Sequence, residues 1–358
     1  PEAEDEVAPT SVVAGGGGGG GGGAVPFPTP TATAVPPSEL IGAAAADLLI
    51  TAVSDNVTST AVQLIAAVEL DKGGTVAALM AVLDKDVSVA GILLTSVASE
   101  NPAVASALVA ETSRIDAVAA GRAMVASALV NAEIAAGILI YTTTQDEEAI
   151  ANVLVEASLD NAEATGMLLA SASAVNPSII ATLITKAAQN NAKAIGGALA
   201  VAARVDSESA GAALALAVDL DANSTGQALA ESAAVDSTAT GNMLGKSSED
   251  NPSGTGAALV SAVKKNAGAI GTALGVASKG RPEAAGLALA AGPAQDAVVL
   301  SLLGAVIPVA PWIPEIAPAV GPDLNQPDKQ WAAVGSFAPI ENILAQFDED
   351  IPTAILTI

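Results

Sequence analysis

The side chains able to do chemistry in this chain are almost all carboxylates and hydroxyls. Acids stand close together at Asp84 and Asp86, at Asp146, Glu147 and Glu148, and at Asp348, Glu349 and Asp350. Neighbouring carboxylates do acid–base work when their surroundings differ, one desolvated and the other wet. A row of acids in turns is normally solvated throughout. The 358 residues contain no His and no Cys, which removes disulfides, thiolate nucleophiles, His-containing metal sites and the commonest general base. Without His, no Ser or Thr reads as a nucleophile. No EF-hand loop or calcium-binding β-roll motif occurs. The expectation is a non-enzymatic protein with no cofactor, no metal and no small-molecule substrate.

The charge balance narrows the partners. Thirty-eight acids against thirteen bases give a net charge of −25, which opposes nucleic-acid phosphates and anionic lipid headgroups. Neutral or basic protein subunits are the expected partners, no nucleic acid among them, with peripheral membrane contact as a secondary expectation. Hydrophobic residues reach 51% but aromatics only 2%, so any core is built from small aliphatic side chains whose backbones must come close.

What positions these residues is a repeat. Asp or Asn recurs every 15 residues: Asn56, Asp71, Asp86, Asn101, Asp116, Asn131, Asp146, Asn161, Asn176, Asn191, Asp206, Asp221, Asp236, Asn251, Asn266 and, after the exception Arg281, Asp296. With that residue as position 1, position 6 is small, often Gly (Gly91, Gly121, Gly166, Gly196), and position 9 is a large aliphatic such as Leu94, Leu139 or Leu199. Asp and Asn favour the N-cap, and Pro102, Pro177 and Pro252 follow at the first helical position, where the missing N–H costs nothing. Apolar residues at positions 5, 6, 9, 12 and 13 mark one helical face. The spacing predicts a helix of about 11 residues, about 16 Å long, with roughly four residues left for the turn. Such a helix is marginal alone, so each unit must lean on its neighbours. The 75-residue spacing of the three prolines has no explanation at this level beyond chance or a five-unit duplication.

Over residues 41–304 the array resembles the short-repeat α-solenoids, in architecture only. The resemblance implies an all-α superhelix of about 17–18 single-helix units, and a binding or spacing role in place of a reaction. A β-solenoid is the alternative, since Asn ladders and Gly corners also recur in strict coils. The Ala content and the Asn-Pro starts favour helices.

The flanks differ in kind. Residues 1–40 join an acidic start, nine glycines from Gly15 to Gly23 and a Pro/Thr-rich stretch, which reads as a flexible and then stiffer extended arm. Residues 305–358 form a Pro-rich tail with Trp312, Trp331, Phe337 and Phe347, four of the chain's six aromatics. Such rings are favoured anchors in partner pockets, and a Pro-rich chain loses less entropy on docking. These four are the expected partner-binding residues, with Trp312 equally able to cap the end of the array. The uncharged run from Ala297 to Pro314 contains three prolines and is expected to be a buried capping helix before a Pro-rich connection, in preference to a membrane span.

The expectation from the whole is a structural scaffold or linker subunit that spaces and joins other proteins, docking through its tail. Two alternatives stay open: a linker of a membrane-associated photosynthetic antenna or photosystem complex, and a secreted or surface rod of the adhesin, ice-associating or mineral-associating kind. The compartment is undetermined. A chain starting at Pro1 fits an organellar protein after removal of a targeting peptide, and a secreted protein equally.

Overall fold

The structure, a computed structural model, describes residues 35–306. Both extended arms expected from the sequence lie almost wholly outside these residues. Among the described residues there are fifteen α-helices and no strand; three helices, Ala46–Leu70, Pro177–Val205 and Pro252–Gly280, are each broken once, at Asn56, Asn191 and Asn266, which makes eighteen straight segments. The all-α solenoid holds and the β-solenoid does not.

The helices are longer than the spacing predicts. Interior units such as Val87–Glu100, Ala162–Val175 and Ala222–Val235 have 14 helical residues, and a single residue separates one helix from the next. Asp116 shows how one residue can replace a four-residue turn. Its backbone is extended, at φ −152° and ψ 102°. Its N–H donates to the Thr112 carbonyl at 2.7 Å, closing the helix behind it, and its own carbonyl accepts from the Ala120 N–H at 3.1 Å, opening the helix ahead. The side-chain Oδ1 accepts from the Ala119 N–H at 3.0 Å. The same bond to the third residue on recurs at Asn161, Asn191 and Asp236, at 3.0, 3.1 and 2.9 Å. C-cap and N-cap are therefore one residue. An extended φ is open to any amino acid, so it is the short side-chain acceptor that selects Asp or Asn.

Helices pack mainly on their second neighbours along the chain and more lightly on their third. The small residue at position 6 marks the crossing. A Cβ on Gly121 would lie 2.8 Å from the Ala157 backbone N, and one on Gly211 would lie 2.8 Å from the Met243 carbonyl O. Position 6 of one unit thus meets positions 8, 11 and 12 of the unit two further on. Adjacency to both second and third neighbours means that five units, 75 residues, complete about two superhelical turns. Pro102, Pro177 and Pro252 therefore fall at equivalent corners, so a five-unit duplication keeps the superhelix in register.

Burial follows from being covered on two sides. Positions 5, 6, 9, 12 and 13 are buried as the stripe implies, and so is position 8, where Leu93, Leu108, Ile138 and Leu183 are fully buried. The sequence stripe missed position 8, because a helix clasped between the units before and after it buries more than one face. Where positions 12 and 5 meet inside a corner, hydroxyls pair: Ser232 with Thr240 and Ser247 with Thr255, both at 2.8 Å. At the N-terminal end, Pro37–Leu40 is a 3-10 helix with Leu40 fully buried, and the Gly42 N–H, at a φ of 87° that favours Gly, donates to the Gly74 carbonyl at 2.8 Å. The array thus begins a few residues before 41.

By length and hydropathy the stretch Ala43–Leu70 suffices to cross a membrane, but Asn56 breaks it at φ −162° and ψ 98°. The run from Ala297 is helical through Val306, the last described residue, and is bent by 120° from the segment before it.

Two glycines separate crossing from helix propensity. Gly137 has nothing within 4 Å of an added Cβ, so Gly137→Ala is expected to raise stability by up to about 1 kcal/mol, the usual helix gain. Gly121→Ala, at a crossing, is expected to lower it despite the same gain. Thermal unfolding of both variants checks this, and a stabilised Gly121→Ala would contradict the crossing. Asn161→Ala is expected to lower stability by about 1 kcal/mol through loss of the shared cap, read from denaturant midpoints.

Candidate functional site

The outer surface carries the chain's charge, and most of the cations are held within it. Residues 35–306 contain twelve of the thirteen Lys and Arg, and ten of those twelve form ion pairs. Most reach from one superhelical turn to the next: Lys72 to Glu111 at 3.1 Å, Lys186 to Glu147 at 3.0 Å, Arg204 to Glu163 at 2.6 Å, Lys264 to Asp296 at 2.7 Å. Exposed pairs of this kind contribute about 0–1 kcal/mol each. Their larger effect is to place a positive charge between stacked acidic corners, lowering repulsion in a chain of net charge −25.

Several caps are also tuned. The amide of Gln189 donates to Asp221 at 2.9 Å and, with the Ser224 hydroxyl and backbone, holds that carboxyl below the usual range against some desolvation. The Ser209 hydroxyl does the same for Asp206 at 2.6 Å, and Lys264 for Asp296. Lys72 lowers Glu111, on the flank of a helix. Among the described residues no three acids converge on a point that would hold a metal ion. A Ser-x-x-Lys spacing occurs once, at Ser261 and Lys264. It does not form a dyad: the Ser261 hydroxyl donates to Asn223 at 2.8 Å while Lys264 pairs with Asp296.

The repeat code breaks chemically at one corner. Arg281 holds the corner backbone, φ −138° and ψ 71°, without offering an acceptor, so helix Pro282–Ala291 begins with no side-chain cap. Its guanidinium pairs with Glu249 at 2.9 Å and continues to Glu208, 73 positions back, two superhelical turns away. On the way it passes over Gly245, where an added Cβ would make only ordinary contact with it, 3.6 Å from the Arg281 Cδ. The bond to Glu208, with Glu249 beside it, raises the guanidinium pKa further. Beside this corner is an open pocket of about 400 Å³ lined by Ser248, Glu249, Pro252, Arg281, Ala284 and Leu287. Ser248 is 1% exposed, and its Oγ has no hydrogen-bond partner.

Trp312, Trp331, Phe337 and Phe347 lie outside the described residues. The Arg281 corner was not singled out as a site from the sequence, although its signal was present as the one exception in the Asp/Asn series. No protein-family model, curated protein or solved structure matches the chain.

The lowered cap carboxylates set a pH dependence. A folded-state pKa below the unfolded one gives stability that is complete above the unfolded value and lost as pH falls through the folded one. Asp221→Asn keeps the capping oxygen but cannot titrate. The unfolding midpoint of the parent is therefore expected to fall relative to Asp221→Asn as pH drops from 6 to 3, and a constant difference across that range would contradict the role given to Asp221.

Proposed function

We propose that this protein is a non-enzymatic scaffold or linker that sets the spacing between other proteins of a larger assembly and attaches through residues beyond its helical array. The observation that carries the reading is where the array's specific interactions lie. Its caps, crossing glycines, paired hydroxyls and ion pairs each join one part of the array to another, across a corner or between turns. Such a fold sets distance and orientation with great economy of residue types, and it leaves recognition to departures from the repeat and to the flanks.

The flanking residues with the chemistry for recognition are Trp312, Trp331, Phe337 and Phe347, large rings in a chain where aromatics are otherwise nearly absent. Protein subunits with neutral or basic docking surfaces are the partners that suit an acidic scaffold.

Replacing Trp331 and Phe337 together by Ala in the full chain is expected to abolish its co-purification with the assembly in its source while far-UV circular dichroism stays unchanged. Undiminished co-purification of that variant would overturn docking through the tail.

A further inference from the structure

The corner residue meets a second demand, from a side chain elsewhere in the array. Position 14 of one unit lies against position 1 of the unit three further on. Arg114 is 3.7 Å from Asp146, and Lys264 is 2.7 Å from Asp296. The Gln189 amide donates to Asp221 at 2.9 Å, and the Asn251 amide donates to Asp219 at 2.7 Å. Arg281 is 2.9 Å from Glu249. At all five corners the chemistries are complementary: a cation or an amide donor meets Asp, and a carboxylate meets Asn or Arg. Asp and Asn cap a helix about equally well, so capping does not decide between them. Three further corners have a charged residue at that place three units earlier: Asn101 follows Glu69, Asp236 follows Arg204 and Asp116 follows Asp84. The first two keep the rule, although Arg204 itself pairs with Glu163. Only Asp84 and Asp116 are alike, and Arg122 lies 3.9 Å from Asp84. Arg281, the one break in the Asp/Asn series, obeys this second rule.

The pattern belongs to one register. Pairing the same position-14 residues with corners two units on would set Glu69 against Asp86, Asp219 against Asp236 and Lys264 against Arg281, and only Arg204 would meet an Asp. Pairing them four units on would set Glu69 against Asp116 and Glu249 against Asp296, and would give Arg114 and Arg204 only Asn161 and Asn251. Which unit lies against which is the winding of the superhelix. The interior is poorly suited to fixing it, because Ala and Leu fill the same buried positions in unit after unit and one unit resembles the next. We infer that the choice of Asp, Asn or Arg at each corner is a register key, matched to position 14 three units earlier, that holds the array at this winding against the neighbouring ones. A single exposed pair contributes about 0–1 kcal/mol, but a slip changes every pair at once, and the like charges it creates oppose it together. The inference stands without the scaffold reading.

The test is a set of double-mutant cycles on the full chain, read as urea midpoints by far-UV circular dichroism at pH 7 and low salt. Gln189 is exposed, so Gln189→Glu and Gln189→Lys disturb no core packing. Each is made with and without Asp221→Asn, which keeps the capping oxygen. Effects of the new charge on other groups are common to both members of a pair and cancel. Asp221→Asn is expected to raise the midpoint in the Gln189→Glu background and to lower it in the Gln189→Lys background, by on the order of 0.1–0.3 M urea. Both shifts are expected to shrink in 1 M sodium chloride, where the screening length is about 3 Å. Asp206→Asn and Asp236→Asn, at the corners two and four units on from that of Gln189, are expected to show no such reversal. The same shift from Asp221→Asn in both backgrounds would overturn the key. So would a reversal of equal size at Asp206 or Asp236, which would mark general charge repulsion in place of a register.

Discussion

Everything in the array depends on one small hydrogen-bonded device, the Asp or Asn residue that ends one helix and begins the next. Its N–H, its carbonyl and its side-chain oxygen serve both helices at once, as at Asp116. Because a corner consumes a single residue, fourteen of every fifteen residues can be helical, and the direction of the chain is reset at strict intervals. The cap alone is worth about 1 kcal/mol. Its structural consequence is larger, since it fixes where every later side chain in the unit falls.

From that register the crossings follow. Position 6 always arrives where the helix passes under the one two units on, and a small residue there lets backbones meet. Leu at position 9 and an apolar residue at position 8 then point to the interior from both sides of the crossing. With a thin core of Ala and Leu, closeness replaces bulk: many short contacts repeated along the chain stand in for a few large aromatic ones. The ion pairs between turns are a weaker layer. They temper the repulsion of an acidic surface and join turns that the core already holds.

The legible part of this fold was the part carried by residue type. Caps, small crossings and large aliphatics could be counted along the sequence, and all three stand where the count puts them. Helix length was not legible, because the sequence marks where a cap lies and says nothing of how few residues it needs to turn the chain. Position 8 escaped because Ala alternates there with Leu and Ile, so that its burial comes from neighbours far along the chain. That Pro102, Pro177 and Pro252 stand at equivalent corners likewise became visible only with the packing of second and third neighbours. Arg281 was visible as an exception, but its pairing with Glu208 and Glu249, 73 and 32 positions earlier, needed the stacking of the turns. The four aromatics of the tail rest on the sequence alone.

Amide hydrogen exchange resolved along the array tests the single-residue corner most directly. In a unit such as the one opened by Asn161, the cap N–H is bonded to the Ala157 carbonyl, the Ala164 N–H to the Asn161 side chain and the Thr165 N–H to its carbonyl. Only the Ala162 and Glu163 amides lack a partner there, so the account expects two fast-exchanging amides at this corner, set between slow ones on either side, and at most two at any other. Four or more consecutive fast amides at each corner, with those of Asn161 and Ala164 among them, would mean a true turn and would contradict it.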